Sequence, residues 1–121
     1  MSFKKDLEKR QKAAEDALSE DAAAHERRMA RMEGRAIDLE KHLNGKRIRS
    51  VGLDMTREGP RIVLKHDRYQ INIDTDVEHY DVAKLVLRQQ GAFNLMTAVE
   101  KKRVMSLDEV DQAILAILES Q

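Results

Sequence analysis

Apolar and polar residues alternate along residues 48–74, and this alternation predicts three antiparallel β-strands that share one apolar face. Successive side chains of a strand point to opposite faces, so an apolar face appears as apolar residues two positions apart. Three such rows are present: Val51, Leu53 and Met55; Ile62 and Leu64; and Tyr69, Ile71 and Ile73. A sheet that is apolar on one side needs helices to cover that side.

Two turns set the predicted register of these strands. A two-residue turn at residues 67–68 places Leu64 opposite Ile71. A second turn at residues 58–59 places Leu53 opposite Leu64. Both pairings put the three apolar rows on the same side of the sheet.

Residues 2–44 have the composition of one long helix. They are rich in Ala, Glu, Lys and Arg, with no glycine before Gly34, and Ser2 and Gly45 suit the two ends. Such a helix would be roughly 60 Å long, more than the rest of the chain can cover. Its second half carries a heptad seam, with Ala22, Met29, Ala36 and Leu43 at position a and Leu18, His25, Met32 and Leu39 at position d.

Three roles for the long helix remain open. Its second half could pack on the sheet of its own chain, it could pair with a second copy, or it could be a partner-binding tail that is disordered alone. Self-association is predicted to involve a set of apolar side chains, of which the last belongs to a later segment: Leu18, Met29, Met32, Leu39, Leu43 and Leu87.

The chain after Asp74 is predicted to be helical. Val82, Leu85 and Val86 are spaced as on one face of a helix over about residues 78–90, which Gly91 would end. In residues 92–105, the apolar residues between Ala92 and Val99 favour a short helix, and Val104 and Met105 could form a brief strand.

Ser106 and Glu109 form a capping box, which predicts a last helix from Leu107 to about Glu119. Its apolar residues form the broad face expected to cover the sheet. The predicted fold class is therefore α+β: a long N-terminal α-helix, a three-stranded antiparallel β-meander, and two or three C-terminal helices packed on one sheet face. The predicted division is a helical segment of residues 1–45 and a small α+β domain of residues 46–121.

Composition limits the classes of function. Charged residues make up 36% of the chain, aromatic residues 3%, and the formal net charge is +0. A neutral chain has no overall field to attract nucleic acid or a membrane surface, and base stacking needs more aromatic side chains. The chain has no cysteine, no signal peptide and no apolar run long enough to span a bilayer, so we expect a cytoplasmic protein.

Candidate chemistry is sparse. Asp74, Asp76 and Glu78 alternate like the first ligands of a calcium loop, but His79 and Leu85 occupy the positions that require Gly and Glu. A site formed by His79 and Asp76 is the alternative to solvated histidines. We predict no catalytic residue, no cofactor and no metal site.

Basic residues suggest a different class of function. Phosphate contacts would come from a cluster in and around the predicted sheet: Lys46, Arg47, Arg49, Arg61, Lys65 and Arg68. The long helix carries a second basic stripe of Arg27, Arg28, Arg31 and Arg35. Asp54 and Asp74 share the polar sheet face with the first cluster and weaken its attraction for phosphate.

The sequence predicts a small non-enzymatic protein that binds other protein, as an adaptor or by self-association, with a dimer favoured. The alternative is a nucleic-acid-binding accessory or regulatory protein that uses residues 46–68 and the arginine stripe of residues 27–35. Strand addition at an exposed sheet edge is a second way to bind protein, and the sequence does not identify the free edge.

Overall fold

Two helices and a five-stranded antiparallel sheet make up the part of the chain that the structure describes. The computed structural model describes residues 3–120, except for the side chains of residues 3, 13–18 and 89–90. The elements, in chain order, are α1 (Phe3–Gly45), one turn of 3₁₀ helix (Ile48–Val51), β1 (Asp54–Glu58), β2 (Arg61–Lys65), β3 (Tyr69–Thr75), β4 (Tyr80–Gln90), β5 (Phe93–Val104) and α2 (Leu107–Glu119). Each strand pairs with its sequence neighbours, in the order β1-β2-β3-β4-β5.

The chain divides into two compact units, residues 1–30 and residues 31–121. The first unit is helical from Phe3, as its content of Ala, Glu, Lys and Arg predicts. Its described side chains are exposed, apart from the half-buried Ala23. The second unit contains the sheet, α2 and the last turns of α1.

The hydrophobic core lies in the second unit, between one face of the sheet and two helical segments. In α1, Ala36, Leu39 and Leu43 follow one another at intervals of three and four residues, so they lie on one side of the helix, and all three are buried. In α2 the buried residues are Val110, Ala113, Ile114 and Ile117. They pack with apolar sheet residues that include Ile62, Leu64, Ile71, Ile73 and Val82.

The predicted register of β2 and β3 is confirmed. Leu64 lies opposite Ile71 and Ile62 lies opposite Ile73. The backbone N–H of His66 donates to the carbonyl of Tyr69 at 2.9 Å, next to the turn at residues 67–68. The strict alternation of apolar residues excludes a slip of one residue, which would turn a whole row toward solvent, and the turn at residues 67–68 selects this pairing.

The predicted register of β1 and β2 is wrong by two residues. Met55, and not Leu53, lies opposite Leu64, because the turn is formed by Gly59 and Pro60. Gly59 adopts a φ of 59°, which suits a two-residue hairpin turn. A shift of two keeps each side chain on its predicted face. Val51, predicted to lie in the first strand, is exposed in the 3₁₀ turn.

One consequence of this register is that Arg57 lies opposite Ile62, on the helix-bearing face of the sheet. Its guanidinium Nη1 is 3.0 Å from the Glu33 carboxylate, and its Nε is 3.4 Å from the Glu40 carboxylate. Both glutamates belong to α1. A charged side chain at the edge of the apolar face is therefore matched by two carboxylates on the covering helix.

The prediction of a three-stranded meander followed by two or three helices is wrong. The predicted helix of residues 78–90 is largely β4, the predicted short helix of residues 92–99 is part of β5, and Gly91 lies in the turn between them with a φ of 59°. Only α2 follows the sheet in the described residues. The apolar residues of β4 also fit a helical spacing. If they formed a helix, one edge of β3 would lack a pairing partner. In the structure, β4 pairs with β3 along the whole length of β3.

The predicted last helix is confirmed. It begins at Leu107, and the backbone N–H of Glu109 donates to Ser106 Oγ at 3.2 Å. This hydrogen bond satisfies one of the N–H groups that the first turn of a helix leaves without an intrahelical acceptor.

Candidate protein-binding surface

The hairpin of β4 and β5 extends beyond the rest of the sheet. β3 pairs with β4 from Tyr80 to Val86. Residues 87–90 of β4 pair with β5 alone, and Gln90 lies opposite Phe93 at the turn. This end of the hairpin is therefore two strands wide.

Large apolar side chains are exposed on this hairpin. Of the ten large hydrophobic side chains that are exposed in the described residues, five belong to it: Leu87 (59%), Phe93 (73%), Leu95 (48%), Met96 (43%) and Val99 (39%). We call these five residues the hairpin surface. Isolated exposed apolar residues are common, but a group on one element usually marks an interaction site.

The hairpin surface has two apolar faces. Leu87 lies directly opposite Met96, and both side chains point to the face of the sheet that α1 and α2 do not cover. Leu95 lies opposite Arg88, and Phe93 lies opposite Gln90, on the helix-bearing face. A two-stranded segment with apolar side chains on both faces cannot bury them against its own sheet.

A β-bulge separates this apolar half of β5 from a charged half. The pairing changes from Lys84 with Glu100 to Leu85 with Ala98, so Val99 is an extra residue without a partner on β4. The charged half after the bulge consists of Glu100, Lys101, Lys102 and Arg103. The apolar half is residues 93–99.

A polar cluster occupies the turn between β3 and β4. His79 Nε2 is 3.3 Å from the Asp81 carboxylate and 3.7 Å from the Asp76 carboxylate. Arg103 Nε donates to Asp81 at 2.9 Å. Arg35 of α1 donates to the backbone carbonyl of Asp76. The cluster thus connects the turn to β5 through an ion pair and to α1 through a hydrogen bond to the backbone.

The same cluster contains the residues of the calcium and His–carboxylate hypotheses. The structure brings His79 and Asp76 together, whereas Asp74 faces β2 and accepts a hydrogen bond from Arg61 Nε at 2.6 Å. No group of three His, Asp or Glu side chains among the described residues is arranged to hold a metal ion.

Arg103 lowers the pKa of Asp81, mainly through the hydrogen bond to its carboxylate, and His79 acts in the same direction. A lowered carboxyl pKa stabilises the folded state above the unfolded-state pKa of about 3.9, and the stabilisation disappears as the pH falls through the folded-state pKa. Because Asp81 is 44% exposed, its contribution is expected to be below about 1 kcal/mol.

We therefore expect Asp81→Asn to lower the free energy of unfolding at pH 7 by a few tenths of a kcal/mol, up to about 1. The difference from the wild type should shrink between about pH 4 and pH 2, where the wild-type carboxylate also becomes neutral. Urea unfolding at several pH values measures the stability difference at pH 7 and its decrease at low pH. Asp38→Asn, at an exposed position of α1, is the control. A difference that stays constant down to pH 2 would show that Asp81 stabilises by another route.

The structure places the predicted association residues in different environments. Leu39 and Leu43 are fully buried in the core of their own chain, and Met32 is half-buried. Met29 is exposed on α1, and Leu87 is exposed on the hairpin. The side chain of Leu18 lies outside the described residues.

Sequence reasoning did not identify Phe93, Leu95, Met96 and Val99 as a binding surface, because it assigned residues 92–99 to a short helix. The available signal was Gly91 between two runs that each contain several Val and Leu residues, a pattern that also describes a β-hairpin.

The structure does not gather the six predicted phosphate contacts into one site. Arg61 is paired with Asp74. Lys46 and Arg47 line a cavity of about 220 Å³ between the end of α1, the 3₁₀ turn and α2. Lys65 and Arg68 line another, of about 200 Å³, together with Leu87 and Met96. Arg49 is exposed in the 3₁₀ turn.

The basic stripe of α1 is also divided. Arg27, Arg28 and Arg31 are exposed, but the Arg35 guanidinium lies 4.6 Å from the centre of the Tyr80 ring and is half-buried.

Comparisons with models of protein families, with curated protein sequences and with solved structures found no match. In the described residues, no helix is both long and apolar enough to cross a membrane. The interpretation of function therefore depends on the hairpin surface itself.

Proposed function

We propose that this chain is a non-enzymatic protein-binding module that self-associates as a dimer through the hairpin surface. The observation that carries the proposal is the concentration of exposed apolar side chains on the two-stranded end of β4 and β5. Complete burial of a large apolar side chain contributes roughly 1.5–3 kcal/mol. Burial of several such residues from each copy would offset the entropic cost of association.

The composition of β5 favours a second copy as the partner. In a two-fold symmetric dimer the same patch meets itself, so the patch must be self-complementary. An apolar patch meets this requirement, whereas a patch of one charge does not. The cationic residues Lys101, Lys102 and Arg103 lie beyond the bulge, outside the apolar half of the strand.

A structural role of the polar cluster supports the non-enzymatic part of the proposal. Among the described residues, His79 with Asp76 and Asp81 is one of two groups in which a histidine meets a carboxylate, the other being His42 with Asp111. Its Asp81 carboxylate is bound to Arg103, and the cluster joins three elements of the fold.

Light scattering coupled to size-exclusion chromatography tests the proposal. We expect the wild type to elute at tens of micromolar with twice the chain mass of 13.9 kDa. The double variant Phe93→Ser, Leu95→Ser should elute at the chain mass, because it removes two of the most exposed apolar side chains on the hairpin.

Two control variants identify the surface that is used. Leu115→Ser alters a residue of α2 that is equally exposed, and this variant should remain dimeric. Met29→Asp alters the exposed side of α1, and it should also remain dimeric. A wild type that stays at the chain mass at all concentrations, or a dimer that only Met29→Asp dissociates, would contradict the proposal.

A further inference from the structure

The outer edge of β5 presents backbone groups at alternate residues of its apolar half. Gln90 and Phe93 are paired across a two-residue turn, so they exchange both backbone hydrogen bonds. Phe93, Leu95 and Thr97 therefore direct their N–H and C=O groups toward β4. In an antiparallel ladder the intervening residues direct theirs away, and here these residues are Asn94, Met96 and Ala98.

No further strand among the described residues pairs with this edge, because β5 is the last strand in the sheet order. Every residue of β5 from Phe93 to Ala98 is exposed except the half-buried Thr97. A long apolar edge of this kind is a template for another strand.

The opposite edge of the sheet is less suited to pairing. β1 has only five residues, and Asp54, Arg57 and Glu58 are among them. Because Glu58 and Arg61 close the two-residue turn at residues 59–60, only Met55 and Arg57 direct their backbone groups outward within the strand. Short, charged edge strands resist strand addition.

We propose that two copies of the chain pair antiparallel through their β5 strands, with Met96 of each copy on the two-fold axis. This inference rests on the proposed self-association and specifies its geometry. The two sheets become one continuous sheet of ten strands. The proposed pairing places Asn94 of one copy opposite Ala98 of the second copy, and the two Met96 residues opposite each other.

This register uses all three outward-facing residues of each strand before the bulge. Asn94, Met96 and Ala98 each meet an outward-facing residue of the other copy, so every N–H and C=O among them has a partner. Moving the axis to Asn94 would leave Ala98 beyond the hairpin turn of the second copy and without a partner.

Side-chain complementarity selects the same register. On the helix-bearing face, Leu95 lies opposite Thr97 of the second copy, and Phe93 approaches its Val99. Lys101 then lies beyond the turn at Gly91 of the second copy. If the axis passed through Ala98 instead, the bulge at Val99 would place Met96 opposite Lys101 on the uncovered face and Leu95 opposite Lys102 on the helix-bearing face, an unfavourable pairing of apolar with charged residues.

A single introduced cysteine tests this geometry, because the chain contains none. In the proposed pairing the two Met96 Cα atoms are about 5.5 Å apart, within the range of a disulfide. The variant Met96→Cys should therefore form a covalent dimer in most of the protein on mild oxidation, reversibly with a reductant. Non-reducing electrophoresis measures the yield.

The matched control is Asn94→Cys. In the proposed register, position 94 of one copy is offset by four residues from position 94 of the other, a separation of about 14 Å that excludes a disulfide. We expect at least a tenfold lower rate of cross-linking for this variant. Equal or faster cross-linking at position 94 would overturn the register.

Backbone amide exchange in the wild type gives a test that needs no substitution. The amides of Asn94, Met96 and Ala98 should exchange at least tenfold more slowly at a concentration where the dimer forms than in a dilute sample. The amides of Met55 and Arg57 on the β1 edge should be unaffected by concentration.

The two proposals fail in different ways. A dimeric wild type whose Met96→Cys variant does not cross-link, and whose β5 amides do not change with concentration, retains self-association but excludes β5 pairing. A wild type that is monomeric in light scattering excludes both.

Discussion

Ile71→Ala is expected to lower the free energy of unfolding by about 2–5 kcal/mol, because it creates a cavity at the centre of the core. Ile71 is fully buried on the middle strand, opposite Leu64 on one side and Lys84 on the other. Urea unfolding followed by circular dichroism measures the change. For a domain of this size it represents a large part of the total stability.

Met105→Ala is the control for this prediction, since Met105 is exposed in the connection between β5 and α2. Its effect should stay within about 0.5 kcal/mol. A similar loss for both variants would mean that the apolar face of the sheet is not the main core, and that the role of the central strands is wrongly assigned.

Leu39→Ala is expected to cost a comparable amount, about 2–5 kcal/mol. Leu39 lies on α1 and is fully buried among residues of the sheet and α2. The free energy of unfolding lost through Leu39→Ala should be the same in the wild-type background and in the Phe93→Ser, Leu95→Ser background, because the Leu39 side chain packs within its own chain. Urea unfolding of the four proteins gives this comparison.

Leu7→Ala provides the matched control on the same helix, where the leucine is exposed. Its change in unfolding free energy should be within about 0.5 kcal/mol. A loss at Leu39 that occurs only when the chain is dimeric would instead indicate that this part of α1 packs on a second copy.

The sequence predicted β2, β3 and α2 well because a single physical requirement determined each of them. The alternation through Ile62, Leu64, Ile71 and Ile73 determined which face of each strand is buried, and the two-residue turn at residues 67–68 selected the pairing. The capping box at Ser106 fixed the start of α2 through a local hydrogen bond. Neither depended on the rest of the chain.

The β4–β5 hairpin could not be predicted in the same way. Val82 and Val86 are compatible with both a helical and a strand spacing, and only the need of β3 for a second partner separates the two. β5 buries only Val104, so it has almost no burial pattern to detect. The residues of the candidate site were missed for the same reason that they are of interest, which is their exposure.

The heptad of α1 illustrates a related limit. Its positions Ala36, Leu39 and Leu43 predict correctly which side of the helix is buried. A stripe of apolar residues does not reveal whether a sheet of the same chain or another helix covers it. The same stripe was therefore compatible with both of the leading roles considered for the helix.

The extra residue at Val99 has a consequence for how this molecule could change over time. Val99 has no partner on β4, so its loss would leave the neighbouring pairs, Lys84 with Glu100 and Leu85 with Ala98, as consecutive pairs of a regular ladder. Phe93 and Leu95 would stay on the helix-bearing side, and Met96 on the uncovered side. A deletion of one codon could thus remove the local kink and reduce the twist of the hairpin without exchanging the residues of its two faces.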